Sequence, residues 1–207
     1  MKSWFINISE QYKYFTWTPE RTGSTHFTNI ISKLGFQSAD IVDGKIISYK
    51  ENTRHNHFCT LFENHWDYKF IITTRNPYSM VLSMLGVSYM ENLSDVQYEI
   101  ELRIEHILQN PFDSPFCCQC FQNRKPDYFL RLENLYEDWI KIPFVQTHEL
   151  NISGELKKLT EIRMNEQKNT EDVNYWKKYY NKRIADLVYY NFPNNFELFG
   201  YDKDSWK

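Results

Sequence analysis

Nowhere in the 207 residues does an apolar run approach the ~20 residues of a membrane-crossing helix. The first residues, MKSWFINISEQYKYF, do not read as a secretory leader either, because polar residues interrupt a short apolar stretch. No internal repeat, low-complexity segment or Pro/Gly/Ser-rich linker punctuates the chain. These absences predict one soluble, cytoplasmic domain over residues 1–207, with no membrane partner and reduced thiols. Positive charge is not in excess: the net charge is −3 and the pI near 6.1. That argues against a general nucleic-acid binder, which is normally basic, but leaves room for a local basic pocket.

Cysteine is scarce, with four residues, three of them in FCCQCF. Cys117 and Cys120 have the spacing that can seed a zinc or redox site. Zinc needs four ligands, and no second close pair of Cys or His follows. The alternative reading is small residues packed in a loop or helix end. Aromatic residues are plentiful at 17%, enough to build a core or wall a pocket.

Hydrophobic periodicity supplies the elements. YKYFTW (12–17) is short, aromatic and bounded by turn-like residues, as a strand is. Phe27, Ile30, Ile31 and Leu34 then repeat at helical spacing, and Gly35 is a stop signal. IVDGKIISY (41–49) reads as a short strand or hairpin. KFIITT (69–74) is a continuous apolar run suited to a buried parallel sheet. Pro77 after it suits a first helical turn, with Val81, Leu82, Leu85 and Tyr89 on one face.

Further on, Ser94 and Gln97 have capping-box spacing ahead of a helix that places Val96, Ile100, Ile104 and Ile107 inside. YFLRL (128–132) predicts a strand, and ENLYEDW a short helix. A long helix is expected from about 171 to 191, with Val173, Trp176, Tyr180, Ile184, Leu187 and Val188 on one face. Strands alternating with helices imply an α/β fold whose central parallel sheet has helices on both faces.

Two stretches carry chemistry. PERTGSTHFTNII (19–31) runs from a strand through a loop into a helix start, where ligands of such sheets bind. Unpaired N–H groups and the helix dipole favour an anion there. Gly23 permits close backbone approach, Thr22, Ser24 and Thr25 are hydroxyl residues, and Arg21 offers a forked cationic contact. The P-loop sequence GxxxxGK[ST] and its lysine are absent. The bland alternative is a simple helix cap. RNPYSMVLS (75–83) follows the clearest strand and sets Arg75 eight residues before Ser83. A second basic residue at a strand end suggests a ligand with two separated anionic groups.

Together, RTGSTHFTNI and RNPYSMVLS resemble the two cofactor-binding motifs of the sulfotransferases, and most of all the carbohydrate branch of heparan-sulfate and uronyl 2-O-sulfotransferases. The likeness covers about 18–34 and 68–86, and is fainter at 127–139 and 194–202. It implies a three-layer α/β/α sandwich of the P-loop type and the co-substrate 3′-phosphoadenosine 5′-phosphosulfate (PAPS), with no metal. By the same resemblance, Arg21, Thr22, Gly23, Ser24 and Thr25 would hold the 5′-phosphosulfate, and Arg75 and Ser83 the 3′-phosphate. Arg21 stands where the family has lysine; it keeps the charge with a different geometry, and Glu20 precedes it.

Between the motifs lies TRHNHF, whose His55 and His57 match a His-x-His of that branch. Histidine is a natural base near neutral pH. The resemblance makes His57 the general base toward the acceptor hydroxyl and His55 its orienting or acceptor-touching neighbour, while Arg21 and the loop N–H groups stabilise the transferring group. Arg54 could add positive charge, or simply be solvated. His26, inside the first motif, reads as a packing residue.

The acceptor implied is a carbohydrate or small glycoside, bound by loops within 87–126 and 140–170. The other readings are an atypical nucleotide-dependent phosphotransferase and a binding module without turnover.

Overall fold

In the computed structural model, the described residues are 5–19, 24–38, 41–42, 45–46, 66–85, 93–109, 125–161 and 174–207. They fall into two compact units. One lies within Met1–Thr74 and Gln119–Met164, the other within Arg75–Cys118 and Asn165–Lys207. The protein is mixed α/β with a mostly parallel sheet. No described helix is long and apolar enough to cross a membrane.

The first unit holds the sheet. Its strands are β1 (Phe5–Ser9), β2 (Tyr14–Thr18), β3 (Gln37–Ser38), β6 (Lys69–Thr74) and β7 (Tyr128–Arg131), in the order β3-β1-β2-β6-β7. β2, β6 and β7 run parallel, while β1 is antiparallel to both β2 and β3. Two further strands, β4 (Ile41–Val42) and β5 (Lys45–Ile46), pair antiparallel as a separate hairpin, as the sequence allowed.

β1 was not foreseen. Its alternation over FINIS is short, and the turn to β2, Glu10–Lys13, contains neither glycine nor proline. Lys13 itself takes the left-handed conformation at φ 60°. Its amide closes the turn on the Ser9 carbonyl at 2.9 Å, and its ammonium bonds the Tyr68 hydroxyl at 2.8 Å. Glu10 accepts a hydrogen bond from that same hydroxyl.

α1 (Ser24–Lys33) follows β2 and ends as its glycine predicts. Gly35 sits at φ 79°, its amide reaches the Ser32 carbonyl and the Phe36 amide reaches that of Ile31. This is a Schellman stop, which needs a residue at ease with positive φ. Phe27, Ile30, Ile31 and Leu34 are all buried. They pack with Tyr14, Ile71 and Leu130 of the sheet and with Trp139, on which Phe27 stacks at 5.4 Å. On the sheet's other face Phe15 stacks on Phe70 at 4.7 Å.

After β7 a 3-10 turn (Leu132–Asn134) leads into α4 (Leu135–Trp139). Three short helices then follow, α5 (Pro143–Thr147), α6 (Glu149–Ile152) and α7 (Glu155–Glu161). The sequence reading left 140–161 unassigned, because no apolar period there lasts long enough to register. Val145, Leu150, Leu156 and Leu159 nonetheless complete the core of this unit.

The second unit is helical: α2 (Pro77–Leu85), α3 (Leu93–Gln109), a 3-10 segment (Tyr175–Tyr179), α8 (Lys182–Asn191) and α9 (Pro193–Phe199). Its core joins Tyr78, Met80, Val81 and Leu82 to Val96, Ile100, Ile104 and Ile107 and to Trp176, Tyr180, Ile184 and Val188. Tyr78 is central. It donates to the Lys203 carbonyl at 2.5 Å, its own carbonyl accepts from the Tyr180 hydroxyl at 2.7 Å, and its ring meets Tyr180 and Phe196 edge-on.

Two expectations need correction here. The long helix of 171–191 is broken at Tyr180, which is extended at ψ 138°. Asn181 then caps α8, accepting from the Ile184 amide at 3.0 Å. Asparagine competes for backbone hydrogen bonds and so favours helix starts over interiors. Trp176, Tyr180, Ile184 and Val188 still point inward, so the face was right and the continuity wrong; Val173 lies outside the described residues.

The helix also starts one residue earlier than the cap expected at Ser94: α3 already includes Leu93, and the Gln97 side-chain amide donates to the Tyr179 carbonyl at 3.2 Å.

Candidate functional site

The first anion-binding stretch begins on β2, whose five residues are all buried. Thr18 ends that strand and Pro19 follows, also buried. Glu20, Arg21, Thr22 and Gly23 lie outside the described residues, and so do the side chains of Ser24 and Thr25. The backbone of Ser24 and Thr25 forms the first turn of α1, which contains no acidic residue. The described residues thus supply a strand end and, after it in the chain, a helix start without an acidic residue in its first turn. Such a terminus has amides without intrahelical partners and carries the positive end of the helix dipole.

Two buried polar atoms flank that stretch. Thr18 is 0% exposed and its hydroxyl makes no hydrogen bond among the described residues. His26, the third residue of α1, is 8% exposed, and its Nδ1 is likewise without a partner there. Burial pushes the imidazole below its ordinary value, only partly offset by the Thr160 backbone on α7. Burial thus disfavours the charged form of His26, which is a buried packing residue, as the sequence suggested.

The second stretch opens the helical unit. Asn76 and Pro77 start α2 together: the Asn76 side-chain oxygen accepts from the Tyr78 amide at 3.0 Å, and Pro77 takes the first position. This is a capped proline start, and it accounts for RNP at a strand end. Arg75 is half-buried, and its Nε donates to the Ser79 hydroxyl at 2.8 Å. Ser79 in turn donates to the Asn76 carbonyl at 3.1 Å. The guanidinium is held against the first turn of α2 rather than left to sample solvent.

Ser83, in the following turn, is half-buried and donates to the Met80 carbonyl at 2.7 Å. Its proton is so engaged. Contact with a phosphate oxygen would require the hydroxyl to rotate. Ser79 and Asn76 were missed by sequence reasoning: Arg75 precedes α2 and Ser79 is buried in its first turn, so no helix-surface spacing announced the contact.

His55 and His57, together with Arg54, lie outside the described residues, as do Cys117, Cys118 and Cys120. Among the described residues no group of three His, Cys, Asp or Glu side chains is placed to hold a metal ion. Of the remaining histidines, His148 caps α6 by accepting from the Leu150 amide at 3.2 Å, and His106 is exposed. Trp176 and the tyrosines around it are core residues of the helical unit, as expected.

Comparison of the chain with protein-family models, with curated proteins and with solved structures finds no match.

Proposed function

We propose that this protein is a PAPS-dependent sulfotransferase acting on a carbohydrate hydroxyl. One observation carries the reading: two neighbouring parallel strands each lead, at their carboxyl ends, into one of the two motifs. β2 pairs with β6; β2 runs on toward Arg21–Thr25 and α1, and β6 runs on into Arg75 and α2. Carboxyl ends of parallel strands are where such sheets bind ligands.

In this reading the amides at the start of α1 and the side chains of Arg21, Thr22, Ser24 and Thr25 hold the 5′-phosphosulfate, with Gly23 letting the backbone approach. Arg75 and Ser83 hold the 3′-phosphate. His57 removes the proton of the acceptor hydroxyl as its oxygen bonds to sulfur and the bond from sulfur to the bridging phosphate oxygen breaks. His55 orients it or touches the acceptor. The products are a sulfate ester and adenosine 3′,5′-bisphosphate. Most of the rate would come from alignment and fixed positive charge, as in phosphoryl transfer.

Thermal unfolding with adenosine 3′,5′-bisphosphate, against AMP and ADP, tests this. Saturation at about 100 times Kd adds roughly 2.7 kcal/mol, on the order of 5–10 °C for a chain of this size. A shift with the bisphosphate alone supports the reading. A shift with ADP instead moves the assignment to a phosphotransferase, and no shift with any of the three removes the proposed function.

A further inference from the structure

We propose that the segment 201–207 is a brace that fixes the direction of Arg75, and that Ser205 is the positioning residue through which it acts. The consequence for ligand binding rests on the reading of Arg75 as the 3′-phosphate contact; the bracing itself does not. Gly200 ends α9 at φ 70°, and the Tyr201 amide returns to the Phe196 carbonyl at 3.0 Å. This left-handed stop turns the chain out of the helix. Two bonds then dock it at the start of α2. Tyr78 donates to the Lys203 carbonyl, and Asn76 Nδ2 donates to Ser205 Oγ at 2.9 Å.

The segment is stiffened from within. The Asp202 carboxylate accepts from the Asp204 amide at 2.8 Å, and its carbonyl accepts from the Ser205 amide at 3.1 Å. Trp206 packs against the core of the helical unit, and the Lys177 ammonium donates to the Lys207 carbonyl oxygen at 2.7 Å.

Asn76 links this segment to Arg75. It is 6% exposed, so both ends of its side-chain amide call for partners. Oδ1 caps α2 by accepting from the Tyr78 amide, and Ser205 supplies the acceptor for Nδ2. The amide cannot exchange its two ends without setting donor against donor at the Tyr78 N–H. With Asn76 so held, its carbonyl receives the Ser79 hydroxyl at 3.1 Å. That bond commits the Ser79 proton and leaves its oxygen to accept from Arg75 Nε at 2.8 Å. A continuous chain of matched donors and acceptors therefore runs from Ser205 through Asn76 and Ser79 to the guanidinium. Alanine at 205 removes the acceptor that orients Asn76, and with it the restraint on Ser79 and Arg75.

Solvent exchange of the Arg75 Nε proton, followed by NMR of the whole chain, reads the brace directly. Ser205→Ala is expected to speed that exchange roughly three- to tenfold, the worth of one hydrogen bond. Ser205→Thr, which keeps the acceptor hydroxyl, should stay near the wild-type rate. A double-mutant cycle carries the test to the ligand. Ser205→Ala should weaken adenosine 3′,5′-bisphosphate binding roughly three- to tenfold and leave AMP unchanged, whereas in an Arg75→Ala background it should change neither. A merely structural Ser205 lowers the melting temperature but leaves the exchange rate and the ratio of the two affinities at wild-type values; that result overturns the inference. An equal loss of affinity with and without Arg75 overturns it too. Faster exchange in Ser205→Ala, with no bisphosphate binding to the wild type, upholds the brace and removes the cofactor reading instead. Should Ser205→Ala fail to fold, the wild type decides: the Arg75 Nε proton is protected from exchange, or, if it exchanges as fast as that of an exposed guanidinium, the inference falls.

Discussion

Arg131 and Asp138 form a two-pronged ion pair that ties the end of β7 to α4. The guanidinium donates at 2.9 Å from Nε and 2.7 Å from Nη2, one bond to each carboxylate oxygen. The Arg131 amide adds a third bond at 3.0 Å and the Lys141 ammonium a fourth at 2.7 Å. Asp138 is 3% exposed, yet all its acceptor capacity is answered. Burial pushes its carboxyl up, but the bonds from Arg131 and Lys141 outweigh that and hold it below the ordinary value.

Removal of this carboxylate takes away the buried acceptor of four hydrogen bonds. Asp138→Ala is expected to cost about 3 kcal/mol in urea unfolding. Lys141→Ala should cost no more than about 0.5 kcal/mol, because that ammonium is largely solvated. The pH dependence has a definite sign. A depressed carboxyl contributes stability that is full above its unfolded value near 3.8 and is lost as pH falls through the folded value. The stability gap between wild type and Asp138→Asn should therefore close below about pH 4 and stay constant from pH 5 to 8.

The break at Tyr180 makes Asn181 a cap with two bonds, to the Ile184 amide and, through its own amide, to Gln97 Oε1 at 3.2 Å. Asn181→Ala should cost about 1 kcal/mol, read as a lower melting temperature. Had the helix run unbroken from 171 to 191, the same change would be neutral or stabilising, because alanine is the better helix former.

That contrast shows what periodicity can and cannot convey. Trp176, Tyr180, Ile184 and Val188 reveal which side faces the core, because burial imposes the spacing. They do not reveal the break, which a single asparagine side chain decides. β1 was hidden for a related reason: Asn7 and Ser9 are buried on a strand whose turn has no glycine to mark it. KFIITT and the Gly35 stop were legible because each has a strong local cause, a continuous apolar run and a left-handed residue. Near the second motif, the place of Arg75 between a strand and a helix could be read from the sequence, whereas its restraint by Ser79 depends on how α2 begins.

Arg75 gives the sharpest test of the cofactor assignment. Arg75→Ala should weaken binding of adenosine 3′,5′-bisphosphate by at least about tenfold, the loss of one charge-assisted bond of roughly 1.5–3 kcal/mol. Binding of AMP, which has no 3′-phosphate, should be unchanged. Arg75→Lys should not restore affinity, because an ammonium cannot both bond Ser79 and present a fork to phosphate. Equal losses for both nucleotides would mean that Arg75 does not read the 3′-phosphate.

The assignment of His57 separates a transferase from a binding module. If His57 takes the acceptor proton, His57→Ala should lower turnover roughly 10²- to 10⁴-fold. The melting-temperature rise produced by adenosine 3′,5′-bisphosphate should remain, because the cofactor residues are untouched. His55→Ala is expected to lose less turnover, or to lose it through a higher acceptor KM, as an orienting or acceptor-touching residue would. If Arg21 holds the phosphosulfate, Arg21→Ala should behave differently from both, losing turnover and cofactor affinity together. Should His57→Ala and His55→Ala retain full sulfuryl transfer from PAPS to a carbohydrate acceptor, the base lies elsewhere, and the His-x-His resemblance has no catalytic meaning in this chain.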